Sequence, residues 1–235
     1  MRAFLLAAGE GSRLKPFTDN IPKCLLPIGS TNMIDIWYHI LEKLTISDVL
    51  INTSYLAEQV SDHVKSLNTS INTHIVFEKK LLGSAGTIKK NKDFIMNDPF
   101  WIIYADTLTT VNLSSLLATH RKNNPILTLG VFHSSTPELG GVVNLDNNNR
   151  IIDFVEKPNI PLTNLVNSGI MIASPDIITH IPDKFPCDIS FDLLPKLVGK
   201  MYGELLDGYV YDIGTIKNYN KVQKDWPYQR NKLKI

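Results

Sequence analysis

Apolar and polar positions along this 235-residue chain follow two different rhythms. In the first half, short apolar runs at Ala3–Ala8, Asp48–Thr53, Thr73–Phe77 and Pro99–Tyr104 read as strands. Helical spacing separates them. Ile34, Trp37, Ile40, Leu41 and Leu44 share one face of a helix over Met33–Leu44. Ala57–Leu67, Ala85–Asn91 and Leu113–Asn123 are further helices, the last starting near Asn112 or Ser114 as N-cap. This alternation is the mark of a parallel, doubly wound sheet. The second half is richer in strand pattern: Ile126–Phe132, Gly141–Leu145, Ile151–Val155 and Val166–Ala173, with Asp146–Asn149 as a hairpin turn. A helix over Ile189–Leu197 capped by Asp188, a strand at Tyr209–Ile213 and a closing helix near Ile216–Gln223 complete the pattern. The expectation is one α/β domain over residues 1–228 with a Rossmann-like, doubly wound mixed sheet. Its halves fall at about 1–110 and 111–228, and a basic, frayed tail covers 229–235.

Composition narrows the function more by exclusion than by suggestion. A hydrophobic share of 43% and a charged share of 20% suit a soluble globular domain with a full core. With a net charge of +1, no global field gathers nucleic acid or an acidic membrane, so any anion must be bound by local arrangement. Cys24 and Cys187 are the only cysteines, which argues against a disulfide scaffold and fits a cytoplasmic location. Cys24 follows Lys23 and could carry a lowered thiol pKa, although a small residue filling space is the simpler reading. No apolar run reaches membrane-spanning length. The six histidines show no metal-ligand spacing, and His39 and His63 read as surface or interface residues. Trp37, Trp101 and Trp226 read as packing anchors, and no serine elbow announces a nucleophile.

The chemistry concentrates where the first strand ends. Ala7-Ala8-Gly9-Glu10-Gly11-Ser12-Arg13-Leu14-Lys15-Pro16-Phe17-Thr18 places two glycines and two cations directly after the strand, and Pro22-Lys23-Cys24-Leu25 follows. Glycines let backbone N–H groups approach an anion closely, and the cations neutralise it. A dinucleotide fingerprint fails at Leu14, where its third glycine belongs, and a Walker loop fails for want of Gly-Lys-Ser/Thr. Asp106 ends a strand run, the usual ligand position of an open α/β sheet, and a turn cap is its other reading. Asp212 in Asp-Ile-Gly-Thr is a second strand-end carboxylate, or else a cap of the closing helix.

Taken in order, these segments resemble the sugar-1-phosphate nucleotidyltransferases, and most of all the mannose-1-phosphate guanylyltransferase-like members. The carriers are Gly-x-Gly-Ser-Arg-Leu-x-Pro-x-Thr, Pro-Lys23, Leu82-Gly83-Ser84-Ala85-Gly86, Ala105-Asp106, Gly140-Gly141, Glu156-Lys157-Pro158, Asn167-Ser168-Gly169 and Asp212-Ile-Gly-Thr. The family more often has Gly-Asp where this chain has Ala105-Asp106. The resemblance implies a GT-A-like fold and transfer of a nucleotidyl group from an NTP, with GTP favoured, to a mannose- or heptose-type sugar 1-phosphate. It implies Mg²⁺ on Asp106 and Asp212, and catalytic roles for Arg13 and Lys23. Leu6, Ala8, Gly9, Gly11, Ser12, Arg13, Lys23, Glu78, Gly83 and Ser84 would face the nucleotide, with Glu78 accepting from a guanine edge. Tyr104, Gly141, Glu156, Lys157 and Asn167 would face the sugar phosphate.

Three other readings stay open. A uridylyl- or thymidylyltransferase shares the same motifs. A phosphocholine-type cytidylyltransferase would want a cage for a quaternary ammonium. A non-catalytic regulatory subunit would bind nucleotide sugar without Arg13, Lys23, Asp106 and Asp212 all being needed. None of the readings involves nucleic acid or a membrane, and each is compatible with a homo-oligomer.

Overall fold

A computed structural model describes residues 1–233. In chain order its elements begin with β1 (Arg2–Leu6), β2 (Pro27–Ile28), β3 (Thr31–Asn32), α1 (Met33–Lys43), β4 (Asp48–Thr53), α2 (Ala57–Ser66) and β5 (Asn72–Phe77). There follow α3 (Ser84–Lys90), β6 (Phe100–Tyr104), β7 (Thr107–Thr109), α4 (Ser114–Asn123), β8 (Leu127–His133) and β9 (Gly141–Leu145). The chain closes with β10 (Ile151–Glu156), β11 (Leu165–Ala173), α5 (Ile177–His180), β12 (Met201–Leu205), β13 (Val210–Asp212) and α6 (Ile216–Leu233). The fold is a mixed parallel and antiparallel sheet with flanking helices, and its residues cluster into two compact units. β6 supplies residues to both.

The first unit comprises residues 1–81, 103–111 and 208–233 of the described chain. Its sheet runs β6-β1-β4-β5, with β1–β4 and β4–β5 parallel. Ala3, Phe4 and Leu5 are fully buried, as a central parallel strand covered on both faces must be. On α1, Ile34, Trp37 and Leu41 are fully buried, which returns the apolar face the spacing indicates. β7 and β13 form a separate antiparallel ribbon. The closing helix runs on through Leu233, ten residues past the expected Gln223, because its own Trp226 and Leu233 are buried, Trp226 against Gly29. Its last turn is held by His39 Nε2, 3.0 Å from the Leu233 carbonyl, and by the Lys43 ammonium. The tail expected to fray is therefore helical through Leu233, and Lys234 and Ile235 lie outside the described residues.

The second unit comprises residues 82–102 and 112–207. β10-β9-β11 are antiparallel neighbours, β8 pairs antiparallel with β11, and β12 adds to β8 in parallel. The expected helix at Ile189–Leu197 is instead a wide turn over Ile189–Leu193 followed by a tight one over Leu194–Leu197. Pro195 lacks the N–H that a regular helix would need there. Asp188 does cap the start, accepting from Ser190 N–H at 2.8 Å and Phe191 N–H at 3.1 Å. At α4 the N-cap is neither Asn112 nor Ser114 but Leu113, which has no side-chain cap bond; Asn112 Oδ1, one residue earlier, accepts from Ser114 N–H at 3.0 Å in a local turn.

Candidate active site

In the first unit, β1 delivers the chain to a glycine loop. Gly11 has a left-handed φ of 70° and starts a tight turn over Ser12–Leu14, closed by Leu14 N–H on the Gly11 carbonyl at 2.8 Å. A Cβ there would crowd Thr18 and Lys23, 3.0 and 3.1 Å away, on a left-handed backbone that already disfavours any other residue. Gly9 has no neighbour within 4 Å of where a Cβ would sit, and Gly9, Ser12 and Arg13 are exposed. Leu6 is half-buried at the strand end, and Ala8 is buried.

Lys23 is the most buried cation of this loop region, at 9% exposure. Its ammonium is paired with the Asp106 carboxylate and lies 3.9 Å from Asp212 Oδ1. Two aspartates 106 positions apart meet because the β7–β13 ribbon sets Asp212 opposite Thr107, and Ile213 N–H donates to the Asp106 carbonyl at 3.0 Å. Burial of the carboxyl, and then the Asp106 charge, raise the Asp212 pKa, while Lys23, the Gly214 N–H at 2.5 Å and Arg13 oppose the rise. A Cβ on Gly214 would come within 3.1 Å of Arg13 Nη2. Arg13, Lys23, Asp106 and Asp212 thus form one compensated charge group. Thr215 rather than the Asp212 carboxylate serves the start of the closing helix, its Oγ1 accepting from Asn218 N–H at 3.2 Å, while the Asp212 carbonyl accepts from Asn218 Nδ2 at 2.9 Å.

Among the described residues, no group of three or more His, Cys, Asp and Glu is placed to hold a metal ion. Asp106 and Asp212 nevertheless fit Mg²⁺, which takes one or two protein carboxylates and completes its shell with water and substrate phosphate. Burial pushes the Cys24 thiol up to about 12, so the lowered pKa conceivable beside Lys23 does not occur. Tyr104 is half-buried on β6. Glu78 is 5% exposed, and its Oε1 accepts from Asn52 Nδ2 at 3.0 Å.

The second unit carries its own group. The β9–β10 register sets Glu156 opposite Gly141, where a Cβ would meet Phe154 Cζ at 2.6 Å and Glu156 Oε2 at 2.7 Å. Burial raises the Glu156 pKa, with Asp188 adding to the rise, against the Lys157 charge and a hydrogen bond from Ser190. Lys157 has a left-handed φ of 50°, and its ammonium lies 5.7 Å from the centre of the exposed Phe191 ring. Asn167 Oδ1 accepts from Gly169 N–H at 3.1 Å. Gly83, with φ 78°, abuts the Cys187 backbone so closely that a Cβ would collide with it. Ser84 does not cap α3; it donates to Asp188 Oδ2 at 2.9 Å and accepts from Ile189 N–H at 2.7 Å. Asn52, Ser190 and Phe191 carry no local motif, and only the folded registers bring them to these groups.

A glycine turn bearing cations at the carboxyl end of parallel strands, faced by two aspartates, is the arrangement of an anion-binding α/β protein. The chain belongs to the nucleotidyl transferase family, whose sequence profile matches residues 2–228. It is 32% identical to the UTP–glucose-1-phosphate uridylyltransferase of Synechocystis over 93% of this chain and 61% of that protein. It is 30% identical to the mannose-1-phosphate guanyltransferase of Schizosaccharomyces pombe over 93% of this chain and 62% of that one. The chain thus spans about three-fifths of the length of these curated relatives. Among solved structures it is similar to HddC from Yersinia pseudotuberculosis complexed with GMP-PN, with a TM-score of 0.80, 25% identity, and coverage of 96% and 99% of the two chains.

Proposed function

We propose that this protein transfers a nucleotidyl group from an NTP to a sugar 1-phosphate, releasing pyrophosphate. The observation that carries the reading is the compensated group of Lys23, Asp106, Asp212 and Arg13 beside an open glycine loop. An oxygen of the sugar phosphate attacks the α-phosphorus in line. Such chemistry needs positioning and charge neutralisation and no covalent intermediate. Lys23 neutralises the α-phosphate and the incoming phosphate, and Arg13 takes the departing β,γ-phosphates. Asp106 and Asp212 hold Mg²⁺, which supplies Lewis-acid neutralisation of the phosphate oxygens when bound. No general base is required, because a phosphate monoester is already ionised near neutrality.

Leu6, Ala8, Gly9, Gly11 and Ser12 form the nucleotide side, with Gly83 and Ser84 toward the base; Tyr104, Gly141, Glu156, Lys157 and Asn167 form the sugar-phosphate side. Lys157 binds the phosphate, and Glu156 and Asn167 read hydroxyls. GTP with a mannose- or heptose-type phosphate is the favoured pair, in keeping with the guanyltransferase relative and the GMP-PN complex of the structural neighbour. UTP with a glucose-type phosphate is the second reading, since the uridylyltransferase is similar to the same degree. Two buried free thiols suit a reducing cytoplasm. No helix among the described residues is long and apolar enough to cross a membrane.

Mg²⁺-dependent pyrophosphate release, read for each NTP against a panel of hexose and heptose 1-phosphates, tests the reading with Asp106→Asn as control. Release confined to one pairing and absent from the control supports it. Silence across the panel with nucleotide bound refutes these substrate pairings and leaves an acceptor outside the panel or a regulatory binding protein.

A further inference from the structure

The stretch from the end of β4 into α2 holds the glycine loop at both of its ends. At the entry, Asn52 Oδ1 accepts from Ala7 N–H at 2.8 Å, one residue past the last ladder pair, Leu6 with Asn52. The Asn52 side chain thereby extends the sheet by one rung. Its Nδ2 donates to Glu78 Oε1, and both residues are 5% exposed. Glu78 is fixed in turn by its own N–H on the Thr53 carbonyl and by Ser54 Oγ on its carbonyl, both at 2.8 Å. At the exit, the Tyr55 hydroxyl lies 2.9 Å from the Thr18 and the Asp19 carbonyl oxygens and shares its one proton between them. Gln59 Nε2 donates to the Asn20 carbonyl at 3.1 Å. The turn that aims Tyr55 in this direction places Leu56 at φ 48°, left-handed backbone that a branched side chain adopts only under constraint. Between the two anchors Gly9, Glu10, Ser12 and Arg13 remain exposed.

We propose that Asn52 and Tyr55 are positioning residues that clamp the phosphate loop, and that Glu78 acts through Asn52 rather than by reading a nucleobase. The inference rests on the nucleotidyltransferase reading for its kinetic consequences but not for its geometry. Fixing both ends presets the loop's N–H groups and Arg13 for the triphosphate, which lowers the ordering cost of binding. The polarity of the relay is defined: Ala7 donates, Asn52 accepts and donates, Glu78 accepts. Asn52→Asp sets two carboxylates face to face in a buried place, and Glu78→Gln alone keeps an acceptor oxygen for Asn52. Combining the two reverses the inner hydrogen bond and restores the relay.

The test is the KM for NTP and for sugar phosphate in Asn52→Asp, Glu78→Gln, the combined variant and Tyr55→Phe, with hydrogen exchange at Ala7 in the ligand-free protein. The clamp requires Asn52→Asp to weaken kcat/KM for NTP by at least about tenfold, the scale of one buried charge-assisted hydrogen bond. It requires the combined variant to return to within about threefold and Glu78→Gln to stay within about threefold with base preference unchanged, both small against the tenfold of a lost bond. Tyr55→Phe should raise the NTP KM about fivefold, as loss of one partly exposed hydrogen bond does, and leave the sugar-phosphate KM unaltered. Changed base preference in Glu78→Gln, or no recovery in the combined variant, overturns the relay. Asn52→Ala should speed Ala7 exchange at least about tenfold with β1 still protected, since its amide loses its partner. Unchanged Ala7 exchange refutes the clamp even if no substrate pair turns over, a separate failure that would instead refute the proposed reaction. If Asn52→Asp does not fold alone, recovery of fold and activity in the combined variant supports the relay, and failure of both overturns it.

Discussion

The two charge groups are built on opposite plans. In the first unit, Lys23 lies between two aspartates with Arg13 close by, so each charge has an opposite neighbour before any ligand arrives. In the second, Glu156 is pushed toward its protonated form by burial, while Lys157 reaches over an exposed phenyl ring from a left-handed backbone position. A compensated group can exchange partners when a phosphate and a cation enter, at little desolvation cost. A carboxyl whose pKa is raised by burial despite a neighbouring lysine and a hydroxyl donor favours a ligand hydroxyl over a second anion. Strongly charged phosphates suit the first plan, and a sugar with one phosphate suits the second.

Asp106→Asn should break the first plan most severely. It leaves Lys23 beside Asp212 alone and removes one of the two carboxylates proposed to hold the cation. We expect turnover to fall at least about 10³-fold, in line with loss of a metal ligand that stabilises transferring phosphate, with a nearly unchanged unfolding midpoint. Single-turnover pyrophosphate release with a thermal melt on the same sample checks it. A drop of less than about tenfold would place Asp106 outside the chemistry, since it falls far below a metal ligand's usual contribution.

The second unit carries a further acid-sensitive group outside its candidate site. His120, on α4, is 1% exposed, and its Nδ1 lies 2.9 Å from Thr128 Oγ1 while Nε2 is buried without a partner. Burial lowers its pKa from 6.5 to about 4. Between these values the unfolded chain binds a proton that the folded one refuses, so stability is full above 6.5 and is lost as pH falls toward 4. The loss is on the order of 3 kcal/mol, roughly a hundredfold in the folding equilibrium. Urea unfolding at pH 7.5 and 4.5 should show it, and His120→Leu should flatten the acid side even if it lowers stability at neutral pH by stranding Thr128. An equally steep acid loss in that variant would assign the effect to other groups.

Lys157→Ala probes the second plan directly. It removes the cation proposed to bind the sugar phosphate, so the sugar-phosphate KM should rise about 30-fold, the worth of one charge-assisted contact, with the NTP KM unaltered. Initial rates with each substrate varied in turn at a saturating level of the other decide it. A rise in the NTP KM alone would reverse the assignment of substrates to the two groups.

Much of this was legible in the sequence because parallel strands and glycine loops leave local marks. β4 and β9 fall where the apolar runs place them, residue for residue, and β1, β5, β6, β10 and β11 agree to within two residues at either end. β2, β3, β7 and β12 were missed: Pro27–Ile28, Thr31–Asn32 and Thr-Leu-Thr are too short to declare strands, and Met201–Leu205 contains Gly203, whose Cβ would crowd Leu145. The candidate residues were found through motif order, but their partners were not. Nothing near Asn52 in the chain announces that it closes onto Ala7, and nothing near Ser190 ties it to Glu156, because each pairing depends on a register fixed by distant strands. The length of α6 was also hidden. Its polar composition masks the burial of Trp226, which covers Gly29 at 2.9 Å from a would-be Cβ.

The smallest effect tests what the open part of the glycine loop is for. Gly11→Ala would confound strain with function, since that position combines φ 70° with contacts on both sides. Gly9→Ala avoids this, because Gly9 is exposed and a methyl group there meets no protein atom within 4 Å. The folded state should accept it, with stability changed by less than about 0.5 kcal/mol, as for ordinary surface substitutions. If the space beside Gly9 is where a phosphate approaches the backbone, the methyl displaces ligand rather than protein, and the NTP KM should rise about fivefold, roughly 1 kcal/mol of lost contact. The sugar-phosphate KM should not change, which separates the two units' groups by the mildest perturbation available. Isothermal titration of each NTP with Mg²⁺ and no sugar phosphate reads the effect without turnover. Wild-type affinity in Gly9→Ala would mean that the triphosphate lies against Gly11, Ser12 and Arg13 and leaves the start of the loop to the clamp alone.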